Sequence, residues 1–150
     1  MGSASQNKVS NSIRTTLENG RRPNNQGEKI MFTHVRVASS DLEKSAAFYN
    51  ATLGALGIPA GMTLPGIVMY QHAGNRFVVG TPLQGEASHS NGGTIGFVAS
   101  APEQVDQFHA AGLANGGTCE GKPGPRPAVP GRYAYLRDPD GNKICAVAFA

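Results

Sequence analysis

The sequence predicts an α+β fold built as two copies of one unit, strand–helix–strand–strand–strand. Three observations carry this reading. Ser40-Asp41-Leu42-Glu43 and Ser100-Ala101-Pro102-Glu103 share the Ser-x-x-Glu pattern of a helix start and lie sixty residues apart. The apolar pairs Val35/Ile95, Val37/Phe97, Phe48/Phe108 and Leu53/Leu113 keep that same offset. Gly74-Asn75-Arg76-Phe77-Val78-Val79-Gly80 recurs as Gly141-Asn142-Lys143-Ile144-Cys145-Ala146-Val147, sixty-seven residues on. The larger second offset assigns a longer loop to the second copy.

Each element has its own justification. Met31 to Ala38 alternates with period two, which puts Val35 and Val37 on one face and Phe32, His34 and Arg36 on the other. Leu42, Ala46, Tyr49, Leu53 and Leu56 then recur at helical spacing, and Gly57 and Pro59 end the helix. Strands are expected at 66–72 and 76–81, joined through Ala73-Gly74-Asn75; the remaining strand of this copy is indistinct. A polar linker, 82–93, precedes the second copy. Its first strand is 94–98, and its helix buries Val105, Phe108, Gly112 and Leu113. Gly116-Gly117 ends that helix, a strand near 118–121 follows, and Lys122-Pro123-Gly124-Pro125-Arg126-Pro127 reads as a loop. The chain closes in a hairpin. Tyr133 to Leu136 and Ile144 to Phe149 flank Arg137-Asp138-Pro139-Asp140-Gly141-Asn142-Lys143, where Pro139 presets φ at one corner and Gly141 accepts a positive φ at the next.

Composition narrows the function classes. The net charge of +3 resides in residues 1–30, which hold five bases and two acids; residues 31–150 hold eight of each. A neutral domain offers no electrostatic footprint for nucleic acid, and none is expected as a partner. No apolar run approaches the roughly 20 residues of a membrane span, so no membrane partner is expected either. Cys119 and Cys145 form no disulfide framework, which favours a cytoplasmic location. Residues 1–30 are read as a polar leader, flexible, held by a partner chain or not native to the protein, with Met31 as a natural start.

The motifs His34-Val35-Arg36-Val37 leading into Ser40-Asp41-Leu42, then Ala47-Phe48-Tyr49, Leu53-Gly54-Ala55-Leu56-Gly57 and the Arg137-to-Lys143 turn resemble the vicinal oxygen chelate superfamily. Its members include glyoxalase I, bleomycin-resistance proteins and extradiol dioxygenases. The resemblance covers 31–150, read as one domain with modules 31–83 and 93–150. It implies βαβββ modules whose mixed sheet curls around a cleft, and commonly a homodimer. In metal-dependent relatives four cleft residues hold one divalent ion, and the matching positions here are His34, Val78, Thr94 and Cys145. Valine has no lone pair, threonine is a poor ligand and cysteine prefers softer ions, so the set departs from the family's metal site.

Other residues are weighed beside these. Tyr133 and Tyr135 share parity and either lines a cleft or fills the sheet surface. Arg36 shares the face of His34 and implies an anionic partner. Arg126 and Arg132 flank the Pro/Gly loop, as anion ligands at a cleft mouth or as solvated loop side chains. His72, His89 and His109 fall at no ligand position and read as surface or turn residues, and Cys145 reads as a buried, unreactive thiol. The leading expectation is a metal-free pocket for a small organic molecule, a drug or a metabolite, with no cofactor. His34, Arg36, Thr94, Arg126, Tyr133, Tyr135 and Cys145 are its candidate ligand-binding residues. The alternatives are a metal-dependent lyase or dioxygenase with atypical ligands, and a partner-interaction module that retains only the fold.

Overall fold

The computed structural model describes residues 31–149. The expected leader at 1–30 lies outside them. Strand β1 (Val35–Ala38) leads into helix α1 (Leu42–Ala55), then β2 (Met62–Leu64), β3 (Ile67–His72) and β4 (Asn75–Gly80). The order repeats as β5 (Ile95–Val98), α2 (Pro102–Ala114), β6 (Thr118–Arg126), β7 (Val129–Arg137) and β8 (Lys143–Ala148). Each module forms a four-stranded mixed sheet, ordered β1-β4-β3-β2 and β5-β8-β7-β6. The fold is the α+β pair of βαβββ modules that the repeats predict. The two offsets are visible in the pairing itself. Val35 stands opposite Phe77 in the parallel pair β1/β4, and Ile95 opposite Ile144 in β5/β8.

Local chemistry departs from expectation at the helix starts. The cap of α1 is Asp41, whose carboxylate accepts the N–H groups of Glu43 and Lys44, each at 3.1 Å. Two charge-assisted bonds from an aspartate displace the Ser40/Glu43 box by one residue. In α2 the cap Ala101 has no side-chain acceptor, and Pro102 removes one donor. Gln104 reaches back instead and accepts the Ser100 N–H at 2.7 Å. Both helices end alike. Ile58 donates to the Leu53 carbonyl and Gly117 to that of Gly112, with Gly57 and Gly116 at positive φ between them.

The third strand of the first module, indistinct in the sequence, is the short β2. In the second module, β6 continues to Arg126 through the stretch expected as a loop. It is an edge strand, where proline is tolerated, and its three register shifts absorb the irregular backbone.

The helices pack on each other and on the inner faces of both sheets, giving one core. Phe48 and Phe108 are fully buried at equivalent places. Tyr49 meets Phe48 and Phe77 at 5.0 Å between centroids, and Phe77 meets Phe97 of the other module at 5.3 Å. Gly112 sits where the helices approach; a Cβ there would lie 2.3 Å from Leu136 Cδ1. Leu113, expected in the buried stripe, is 46% exposed because the close approach at Gly112 turns the next position outward.

The closing turn also joins the modules. The buried Asp138 carboxylate accepts the backbone N–H groups of Asp140 and Asn142, the Asn142 amide at 2.8 Å and the Tyr49 hydroxyl at 2.6 Å. Asn142 then donates to the Ala38 carbonyl, and the Ser40 N–H to Asp140. Gly141 holds φ at 87°. No helix among the described residues is long and apolar enough to cross a membrane.

Candidate functional site

The face of each sheet turned away from the helices carries the candidates. Register fixes its rows. On the first sheet Arg36, Val78, Met69 and Met62 share a row. On the second, Gly96, Cys145, Tyr135 and Gly121 share one, and Val98, Val147, Tyr133 and Gly124 the next. His34 and Thr94 precede β1 and β5 by one residue, in step with Arg36 and Gly96.

The second sheet brings four of the seven candidates together. The rings of Tyr133 and Tyr135 stack at 6.5 Å, nearly parallel. The Arg126 guanidinium lies 5.4 Å from the Tyr135 ring centre, and the Lys143 ammonium 5.2 Å from it. Both cations gain from the ring's negative face. Arg126 is held in place by carbonyls of its own bulged strand, Lys122 and Pro125 at 3.0 Å and Gly124 at 3.3 Å. Gly121 opposite Tyr135 makes room, since a Cβ there would fall 2.9 Å from Arg126 Nη2. The result is an open hollow of about 710 Å³ bounded by Glu120, Gly121, Lys122, Arg126, Tyr135 and Lys143. Glu120 is bonded to Arg137, which holds its carboxyl below the usual range. Its charge is thereby matched, and Lys122, Arg126 and Lys143 leave the hollow positive.

Cys145 lies beside Tyr135 but is only 6% exposed. Burial pushes its thiol up, against a smaller opposing pull from Lys143. Tyr133 is nearly buried and donates its hydroxyl to the Pro130 carbonyl at 3.2 Å, so Tyr135 presents the more accessible ring.

The remaining candidates are elsewhere. His34 is exposed, with Nδ1 3.0 Å from the Thr33 hydroxyl. Arg36 donates to the Thr81 carbonyl at 2.7 Å, where an anion was expected; Gly80 beneath it leaves the space. Arg132 is turned to the helix side, where it pairs with Asp106 at 2.7 Å, and is not at the hollow. Lys143 and Gly121 escaped the sequence reading. The parity of Lys143 with Cys145 was the available signal, whereas Gly121 acts only through an absent side chain.

The family's metal positions fall as two pairs, His34/Val78 on one sheet and Thr94/Cys145 on the other. One is an aliphatic side chain and another a buried thiol that resists ionisation, so the donor set does not fit a divalent ion. Among the described residues no three His, Cys, Asp or Glu side chains are grouped to hold a metal. A second hollow, an apolar groove of about 470 Å³, runs between the modules along Leu56, Ile58, Tyr70, Phe77, Ile95 and Phe97.

The comparisons agree with the fold. Residues 31–146 match the family model described as Glyoxalase/Bleomycin resistance protein/Dioxygenase superfamily. No curated protein sequence matches the chain. Among solved structures, a glyoxalase/bleomycin resistance protein from Albidiferax ferrireducens T118 is 50% identical, with a TM-score of 0.76 over 81% of this chain and 100% of that one. The genomically encoded fosfomycin resistance protein FosX from Listeria monocytogenes is 20% identical, with a TM-score of 0.60 over 82% and 96%. A lactoylglutathione lyase from Agrobacterium tumefaciens is 20% identical, with a TM-score of 0.58 over 81% and 95%. The latter two speak to the fold alone. From the paired modules, their turns and the match across 31–146, the chain belongs to the Glyoxalase/Bleomycin resistance protein/Dioxygenase superfamily.

Proposed function

We propose that the protein binds a small anionic aromatic molecule on the open face of its second sheet, without a metal ion. The observation that carries this is the positive hollow around Tyr135, with Arg126 and Lys143 both over its ring and, among the described residues, no donor set for a divalent ion. An aromatic ligand would lie against the exposed tyrosine surface, with its negative group meeting both Arg126 and Lys143. Sequestering a drug or metabolite, as bleomycin-resistance members do, fits such a site better than polarising vicinal oxygens, which needs an ion with several protein ligands.

The hollow is wide and open in one chain. A homodimer in which a second copy faces it would complete the pocket, bringing His34, Arg36 and Thr94 into play. Val98, 69% exposed beside Tyr133 and Val147, and the uncovered strand edges support that assembly. Sedimentation at micromolar concentration tests it: a dimer is expected, and a monomer counts against it. Two free cysteines fit a reducing cytoplasm.

Titration with 1-anilinonaphthalene-8-sulfonate, an aromatic anion, tests the binding reading. Arg126→Ala and Lys143→Ala are each expected to weaken it by about 10-fold, the loss of one charge-assisted contact of about 1.5 kcal/mol. Unchanged affinity in both variants would place the ligand elsewhere, with the inter-module groove the next candidate.

A further inference from the structure

Outside the proposed pocket, the described residues include one close pair of a thiol and an imidazole. Cys119 Sγ lies 3.2 Å from His109 Nε2. The cysteine is exposed on the edge strand β6, and the histidine, read from the sequence as a surface residue, is 8% exposed on α2. Cys119 pairs with Leu136, so its side chain is on the helix side of the strand, opposite the hollow that Gly121 and Arg126 line.

We propose that Cys119 and His109 form a nucleophilic pair that makes Cys119 a site of S-thiolation by low-molecular-weight disulfides. Two features combine. The thiol is open to a reagent, and the ring nitrogen is within reach of its proton. Burial lowers the affinity of His109 for a proton, so the ring is neutral and can act as acceptor at neutral pH. Two charged groups act on it in opposite senses, Asp106 more strongly than Lys122. Asp106, one turn back on α2, favours the imidazolium but is paired to Arg132 of β7, and Lys122 of β6 opposes it.

The step balances without an added oxidant. The Cys119 proton passes to His109, the thiolate attacks one sulfur of the disulfide, and a protein–reagent S–S bond forms as the reagent's own breaks. The departing thiolate then takes the proton back from the imidazolium. Cys145 is the internal contrast: it is buried, its thiol is pushed up, and no imidazole adjoins it among the described contacts.

The test uses 2-hydroxyethyl disulfide, an uncharged reagent to which the basic hollow is indifferent, with the modified cysteine located by peptide mass spectrometry over time. Cys119 is expected to be modified well before Cys145. His109→Gln is expected to slow Cys119 by about tenfold at pH 7, since an unassisted thiol is only a few per cent ionised there. A second readout serves if His109→Gln folds poorly. The wild-type rate at Cys119 is expected to show a rise in the imidazole range as well as the thiol range. Equal rates in the two proteins, a single thiol-like rise in the wild type, or faster modification at Cys145 would overturn the assignment.

Discussion

Replacing Tyr49 by Phe removes one bond and almost no volume, which makes it a clean probe of how the modules are joined. The Tyr49 hydroxyl donates to Asp138 Oδ2 at 2.6 Å across the module boundary, and both residues are buried. Three other donors remain on the carboxylate: the N–H groups of Asp140 and Asn142 on Oδ1, and the Asn142 amide on Oδ2. The charge is therefore not orphaned, and the larger cost of an unpaired buried ion does not apply. The expected loss is that of one hydrogen bond to a charged group, about 1.5–3 kcal/mol. For a domain of this size that lowers Tm by roughly 3–12 °C. Urea unfolding of Tyr49→Phe, Asp138→Ala and the double variant gives the coupling directly. A coupling energy above about 1 kcal/mol is expected. A value within about 0.5 kcal/mol of zero, or a Tyr49→Phe variant as stable as the wild type, would refute the claim that this bond holds the modules together.

Three further outcomes are expected. Gly141→Val should cost about 1–3 kcal/mol, because a β-branched residue resists the φ of 87° and its Cβ would meet the His89 ring; an unchanged melting temperature counts against that turn geometry. Gly112→Ala should cost about 1–3 kcal/mol through overpacking against Leu136, Phe48 and Thr52, and a neutral effect by thermal unfolding would mean that the helices approach less closely. Burial raises the phenols of Tyr49 and Tyr70, with the Asp138 charge adding to the effect at Tyr49. Raised folded values favour the neutral form, so their contribution is complete below pH of about 10 and is lost as pH rises toward those values. Phenolate absorbance from these two rings should therefore appear together with loss of circular dichroism, and full ionisation of a still-folded protein would contradict the burial.

Much of the fold was legible because its signals are local or periodic. The offsets between the copies follow from Ser-x-x-Glu, Phe48/Phe108 and the Gly-Asn-base turns; strand parity put Tyr133 with Tyr135 on one face, and the family resemblance put Cys145 at the cleft. What escaped depends on partners distant in sequence. Nothing local says that Asp41 rather than Ser40 caps α1, since both are good caps. The proline-rich stretch Lys122-to-Arg126 looks like a loop until β7 is seen beside it. Arg36 reads as needing an anion because a backbone carbonyl forty-five residues away is invisible to pattern reading. His109 reads as a surface residue until β6 brings Cys119 against it. The hollow itself exists only because Gly121, Tyr135 and Lys143 meet through cross-strand register.

Binding of a small aromatic anion at the Tyr135 hollow is proposed to need no metal. The most direct test titrates 1-anilinonaphthalene-8-sulfonate into purified, dialysed protein with and without a chelator, with metal content measured on the same sample. Less than stoichiometric zinc, nickel, manganese or iron is expected, with an affinity that the chelator leaves unchanged and Arg126→Ala weakens. One tightly held ion per chain, with binding lost on chelation and in His34→Ala, would contradict it and restore the metal-dependent enzyme.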